Sequence, residues 1–264
     1  MLGVIVLLAL FHTALPLPDP AAQSLSDRLL EPMERGRTGD MHLLGADQLG
    51  RDVLARLLAG ARVSLGIAIG TVLISGVVGS AVGLLAGYRG GLFDQISMRL
   101  VDVQMAVPPM LLAIFLLYLI GTSLLNLVLL LAILSWWSYA RVVRAETLRI
   151  RGQAYIEAAL VAGCSQRRIV LRHILPQLTP VLVVVAVLDF ATVILAEAGI
   201  SYLGFGVQPP NTSWGRMVSE GQQFVTSGAW WLFIAPGAAI FIMVLLVRLA
   251  SSWVQAMVGP SQHR

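Results

Sequence analysis

From Val103 to Ala140 the chain runs thirty-eight residues without a charge. As one helix rising 1.5 Å per residue, that stretch would extend about 57 Å, nearly twice a hydrocarbon core of roughly 30 Å. It has to fold back, and "GTSLLN", Gly121 to Asn126, carries the turn residues. The pattern predicts two membrane spans, the third and fourth of the chain. Trp136, Trp137 and Tyr139 would close the second of these as an interfacial belt.

Other apolar stretches fit the same reading. Leu2 to Leu15 predicts a short first span, with no basic region before it of the kind that opens a signal peptide. Val63 to Gly87 predicts a second, with Gly79, Gly83 and Gly87 at four-residue spacing suited to close helix approach. Thr179 to Ile200 and Ala229 to Val247 predict a fifth and a sixth. The expected fold is an all-α integral membrane protein of six transmembrane helices. Residues 1–16 form the first span and 17–62 an extracytoplasmic loop. A five-span core occupies 63–264, with a cytoplasmic loop at 141–176 and an outer loop at 200–228. Within the first loop, "GADQLGRDVLARLLAGAR" predicts a short amphipathic surface helix. Asp47 would cap it, Asp52 and Arg56 would pair, and Leu54, Leu57 and Leu58 would face the membrane.

Composition removes several kinds of chemistry. The chain is 57% hydrophobic and 12% charged, about half the charged fraction of a soluble domain. All eighteen basic residues are arginine, so the lysine of a phosphate-binding P-loop is missing, as is any Schiff-base lysine. Cys164 is the single cysteine. His12, His42, His173 and His263 match no metal-ligand spacing. No catalytic residue, metal or cofactor is expected.

Arginine counts set the orientation. Arg141, Arg144, Arg149, Arg151, Arg167, Arg168 and Arg172 crowd the segment between the fourth and fifth spans, against Glu146 and Glu157. The positive-inside rule puts that segment, and with an even span count both termini, in the cytoplasm.

That segment holds "EAALVAGCSQRRIVLRHILP", Glu157 to Pro176. Alanine at 154, 158, 159 and 162 favours a smooth helical rod. Gly163 supplies a left-handed stop and Ser165 an N-cap for a second helix through Arg172. Pro176 would bend the path into the membrane. Ile156 and Leu160 give only a narrow apolar stripe, and no arginine lies between Gln153 and Gln166, which suits a protein groove better than a lipid surface.

This stretch resembles the EAA signature of bacterial ABC-importer permeases through Glu157, Ala158, Ala159, Gly163, Leu175 and Pro176. His173 stands where the general signature has isoleucine, and Ile174 can supply an apolar contact one position on. "HLLGADQLGRDVLARLLAGARVSL", 42–65, and "SYLGFGVQPPNTSWGRM", 201–217, resemble the dipeptide/oligopeptide/nickel group, specifically the second of its two permease subunits. The resemblance implies a bacterial plasma-membrane protein forming half of a translocation pathway. A second homologous permease, two ATP-binding subunits and an extracytoplasmic substrate-binding protein would be its partners, along with membrane lipid but not nucleic acid. The rod from Gln153 to Gln166 would be the coupling helix. Glu157, Ala158, Ala159, Gly163, Arg167 and Pro176 would be its coupling residues, and ATP would be hydrolysed in the separate subunits.

Asp189, mid-way along the fifth span, and Glu197, near its outer end, are candidates for the translocation pathway, because an intramembrane carboxylate usually faces a cavity or a partner. A structural hydrogen bond is the other role open to Asp189, and the favoured one for Glu197. Two other functions are compatible with the membrane pattern: a secondary, ion-coupled transporter, or an importer permease for nickel or another small cargo. The first should show internal repeats, and no convincing repeat is present.

Overall fold

The computed structural model describes residues 18–37 and 39–258. The span expected at 1–16 lies outside them. The described chain is helical apart from a short antiparallel hairpin, β1 (Glu34–Arg35) with β2 (Met41–His42). The helices are α1 (Val53–Arg89), α2 (Gly91–Ala106), α3 (Pro109–Ile120), α4 (Leu124–Arg151), α5 (Ala154–Val161), α6 (Gln166–Ile169), α7 (Leu175–Tyr202), α8 (Trp214–Gln222) and α9 (Trp231–Val258). Four helical stretches are long and apolar enough to cross a membrane: α1, α4, Gln166–Tyr202 and α9. The pair α2 and α3, bent by 91°, makes a fifth if counted as one span.

The span expected as the third is therefore not a straight helix beginning at Val103. It starts at Gly91 and breaks at Val107 and Pro108, where the backbone is extended. Two consecutive prolines cause the break, since each lacks an amide proton and the residue before a proline avoids helical geometry. The fold-back at Gly121 does occur: Gly121 has φ 86°, Ser123 caps α4 by accepting from the Asn126 amide, and the Asn126 side chain donates to the Ile120 and Gly121 carbonyls. The aromatic residues do not end the fourth span, because α4 continues to Arg151. Tyr139 is buried and Trp136 Nε1 donates to Gln104 Oε1 at 2.8 Å.

α1 and α4 run parallel and set the frame. A Cβ added to Gly79 would lie 2.2 Å from the Trp136 carbonyl oxygen, and one on Gly83 would lie 2.4 Å from that of Ala140. On Gly87 it would be 2.8 Å from that of Arg144. Four-residue steps on one helix thus meet four-residue steps on the other, and only hydrogen fits between them. α7 runs antiparallel to α1: Ser75 meets Asp189 and Ser64 meets Glu197. Leu65, Leu127, Leu131, Ile194, Trp214 and Met243 belong to the shared apolar core.

The short surface helix expected within 42–62 is the opening of α1, continuous with the second span through Arg89. Asp52 is its N-cap, accepting from the Ala55 amide at 2.8 Å and bonded to His42 Nδ1 at 2.8 Å. With Asp52 so occupied, Arg56 pairs with Asp47 at 2.5 Å and with Glu220 of α8 at 2.8 Å. Asp47 closes its own turn by accepting from the Leu49 and Arg51 amides. The loop expected at 200–228 contains α8, capped by Ser213, with the Trp214 amide donating to the Ser64 hydroxyl of α1.

Candidate functional site

At the end of the fold where α1 turns into α2, the segment 152–178 projects from the helices. α4 stops at Gly152, and α5 follows with Gln153 at its start. α5 ends in a two-bond glycine cap: the Gly163 amide donates to the Leu160 carbonyl at 3.0 Å, and the Cys164 amide to that of Ala159 at 3.0 Å. Gly163 has φ 80°, a region that side chains disfavour. Ser165 caps α6, its hydroxyl accepting from the Arg168 amide.

One side of this segment is pinned. Ile156 is completely buried with Ile169, Ile174, Val143, Ile150 and Leu178. The remainder faces outward: Glu157, Ala158, Gly163, Arg167 and Pro176 are exposed, Ala159 is half-buried, and Val161 is 91% exposed. Glu157 lies in the first turn of α5, where its charge complements the helix dipole. Glu157, Ala158, Ala159, Gly163 and Arg167 thus belong to one short hairpin of helices. Pro176 stands apart, in the first turn of α7.

Pro176 does not turn the chain sharply, as the sequence suggested. α6 continues through a π-helical turn, Val170–Ile174, into α7, and the Leu175 amide donates back five residues to the Val170 carbonyl. The wider turn makes room for the proline ring, which in a regular α-helix would clash with the carbonyl four residues earlier. The Gln177 side chain donates to the Tyr155 hydroxyl and so ties α7 back to α5.

Among the arginines counted for orientation, Arg149 pairs with Glu146 on its own helix, and two others pair with a neighbouring helix. Arg141 donates to Asp102 at 2.8 Å, and Arg144 makes a two-point contact with Asp94. Both acids lie on α2, packed along α4.

Asp189 and Glu197 occupy different settings on α7, about 12 Å apart along its axis. Glu197 is buried in a serine cage, accepting from Ser201 at 2.6 Å and Ser64 at 3.2 Å. Ser64 also accepts from the Trp214 amide, so this carboxylate fastens α8 to α1 and α7. Asp189 instead borders a cavity of about 450 Å³ between α3, α4 and α7, which Met110, Leu134, Trp137 and Leu188 help to line. Ser75 lies 3.3 Å from its Oδ2, and Ser135 and the buried Tyr139 hydroxyl approach it from α4. Sequence reading missed these neighbours. Their signal was the four-residue spacing of Ser135 and Tyr139, which puts both hydroxyls on one helical face. At the opposite end of the fold, a cleft of about 880 Å³ is bordered by Arg51, Arg62, Pro209, Asn211 and Glu220, among others.

Known proteins are similar to this chain in sequence and in fold. Residues 79–264 match the family described as binding-protein-dependent transport system inner membrane component. The di/tripeptide transport system permease protein DppC of Pseudomonas aeruginosa (strain UCBPP-PA14) is 36% identical over 260 residues, covering 97% of this chain and 84% of that protein. The probable D,D-dipeptide transport system permease protein DdpC of Escherichia coli (strain K12) is 34% identical over 257 residues, covering 97% and 84%. The nickel transport system permease protein NikC of the same strain is 35% identical over 242 residues, covering 92% and 85%. The fold is similar to that of a solved chain from an inward-facing conformation of the MetNI methionine ABC transporter, with TM-score 0.61 and 22% identity, covering 76% of this chain and 95% of that one. Family match and relatives agree over most of the sequence, and the chain belongs to the binding-protein-dependent transport system inner membrane components.

Proposed function

We propose that this chain is the permease subunit of an ATP-binding-cassette importer for dipeptides or oligopeptides, forming half of the translocation pathway. A second homologous permease completes the pathway, two ATP-binding subunits drive it, and an extracytoplasmic binding protein delivers cargo. The relatives named for di/tripeptide and D,D-dipeptide transport support the cargo class. The four long spans, the bent pair α2–α3 and the apolar stretch at 1–16 together make six crossings. With 141–176 in the cytoplasm, both termini are cytoplasmic.

The observation that carries the mechanism is the shape of 153–166. It is a short helix, smooth with alanine, anchored through Ile156 and the Tyr155–Gln177 hydrogen bond and closed by a glycine turn. Such a rod presents Glu157, Ala158, Ala159 and Arg167 to a groove in an ATP-binding subunit while its buried side stays fixed to the spans. Closure of the ATPase pair then moves the helices as a body. Asp189, on the cavity wall, lies on the cargo route; Glu197 fastens the outer end.

Co-purification with the ATP-binding subunits tests the reading. ATP hydrolysis by the reconstituted complex should rise when binding protein loaded with a short peptide is added. Stimulation by nickel and not by peptides would transfer the cargo assignment to the metal. Transport by this chain alone on an ion gradient, indifferent to ATP, would replace the importer with a secondary carrier.

A further inference from the structure

The polar corner of the mid-span cavity lacks a positive partner. Among the described residues no ion pair involves Asp189. Ser75 Oγ sits 3.3 Å from Asp189 Oδ2 and 3.3 Å from the Val72 carbonyl, so its single proton serves one acceptor at a time. The Tyr139 hydroxyl is buried beside the same carboxylate yet outside hydrogen-bond geometry. Ser135 brings a third hydroxyl within reach. A carboxylate at this depth is costly unless an opposite charge reaches it, and a buried hydroxyl without a partner adds to the cost.

The donor set selects among cations. A divalent ion such as calcium asks for six to eight oxygen ligands. The cavity lining offers one carboxylate, Asp189, and the hydroxyls of Ser135, Ser138 and Thr192, and its other walls are apolar, among them Leu131, Leu134, Leu188 and Val193. A primary ammonium has three protons to place and an apolar remainder that such walls accept. The two carboxylate oxygens of Asp189 and the hydroxyl of Ser135, all on the cavity wall, provide three acceptors for those protons, while Ser75 and Tyr139, buried behind the wall, hold the carboxylate in position from α1 and α4.

We propose that Asp189 and Ser135, with Tyr139 and Ser75 packed behind the carboxylate, form a recognition corner for the protonated amine of the cargo, the amino terminus of a short peptide. The assignment rests on the peptide-importer reading and adds which end of the cargo is read inside the permease, and by which atoms.

The test uses the assembled complex in proteoliposomes, carrying Cys164→Ser and Thr192→Cys; Thr192 is on the cavity wall. The introduced thiol is modified with a cationic (trimethylammonium) and an anionic (sulfonate) methanethiosulfonate. The cation-to-anion rate ratio should be at least tenfold higher with Asp189 than with Asp189→Asn. Trialanine and butylammonium should slow modification several-fold, and N-acetyl-trialanine should not. Ser135→Ala should keep the rate ratio and weaken the protection. A ratio indifferent to Asp189→Asn overturns the proposal, as does equal protection by the acetylated peptide or by sodium chloride alone. The two readings separate cleanly. A complex that imports no peptide but shows Asp189-dependent protection by butylammonium keeps the corner and loses the importer assignment. One that imports trialanine without any such protection keeps the importer assignment and loses the corner.

Discussion

Arg56 and Glu220, 164 positions apart, meet at 2.8 Å and clasp the start of α1 to α8. Arg56 is also held by Asp47, Glu220 by Arg216 at 2.7 Å, and Arg51 reaches both acids, so five charged groups close the end of the fold opposite the projecting segment.

This clasp makes that end of the fold sensitive to acid. Burial pushes the Glu220 carboxyl up, but the Arg56 charge and the hydrogen bonds from Arg56 and Arg216 outweigh it and hold the group below its ordinary value of 4.5. A carboxyl lowered in the folded state contributes stability above its unfolded pKa and loses it as pH falls through the folded one. Glu220→Gln should therefore cost about 1–2 kcal/mol at pH 7, less than a fully buried pair because the site is partly open. Thermal unfolding in detergent at pH 7 and at pH 4 checks this: the gap between wild type and variant should narrow at the lower pH.

Helix approach sets a second expectation. Gly83→Val would drive a side chain into the Ala140 carbonyl, and overpacking of this kind costs about 1–3 kcal/mol. Gly66→Ala meets nothing within 4 Å and should be silent. Fluorescence-detected size exclusion after a heat step would rank the two; equal thermal midpoints would contradict the close α1–α4 contact.

In the projecting segment, Gly163→Pro and Glu157→Arg should leave membrane insertion unchanged and separate ATP hydrolysis from uptake. Proline cannot adopt the φ of 80° found at Gly163, and the arginine reverses a charge at the dipole's positive end. The measurement is the number of ATP molecules hydrolysed per cargo imported, expected to rise at least several-fold. Wild-type transport by both variants would remove the segment from the coupling path.

The two intramembrane carboxylates should respond differently. Asp189→Asn should lower uptake several-fold at undiminished yield of complex. Glu197→Ala, which strands Ser64 and Ser201, should lower the yield itself, with uptake per assembled complex nearly intact. Quantifying purified complex beside transport rate tells these apart.

Much of this was legible beforehand because membrane solvation makes apolar length decisive. The glycine ladder of α1, the fold-back at Gly121, the glycine cap at Gly163 and the Ser165 cap all follow from local rules that the neighbours do not override. What escaped were events set by prolines and by distant partners. Pro108 and Pro109 broke a stretch read only for its lack of charge, whereas a π turn absorbed the effect of Pro176. Arg56 could not be paired correctly from spacing, because its partner Glu220 becomes adjacent only when α8 folds under α1. Asp189 stood out alone, but Ser75 and Tyr139 join it from helices whose register depends on the packed glycines.

The helical stretch from Gln166 to Tyr202 amounts to a stiff column of about 55 Å. Its lower end shares a cluster with Ile156, its middle carries Asp189, and its upper end is bolted to α8 through Glu197. A tilt imposed at the foot of so continuous a column is passed on toward the head, with the cavity wall travelling between them.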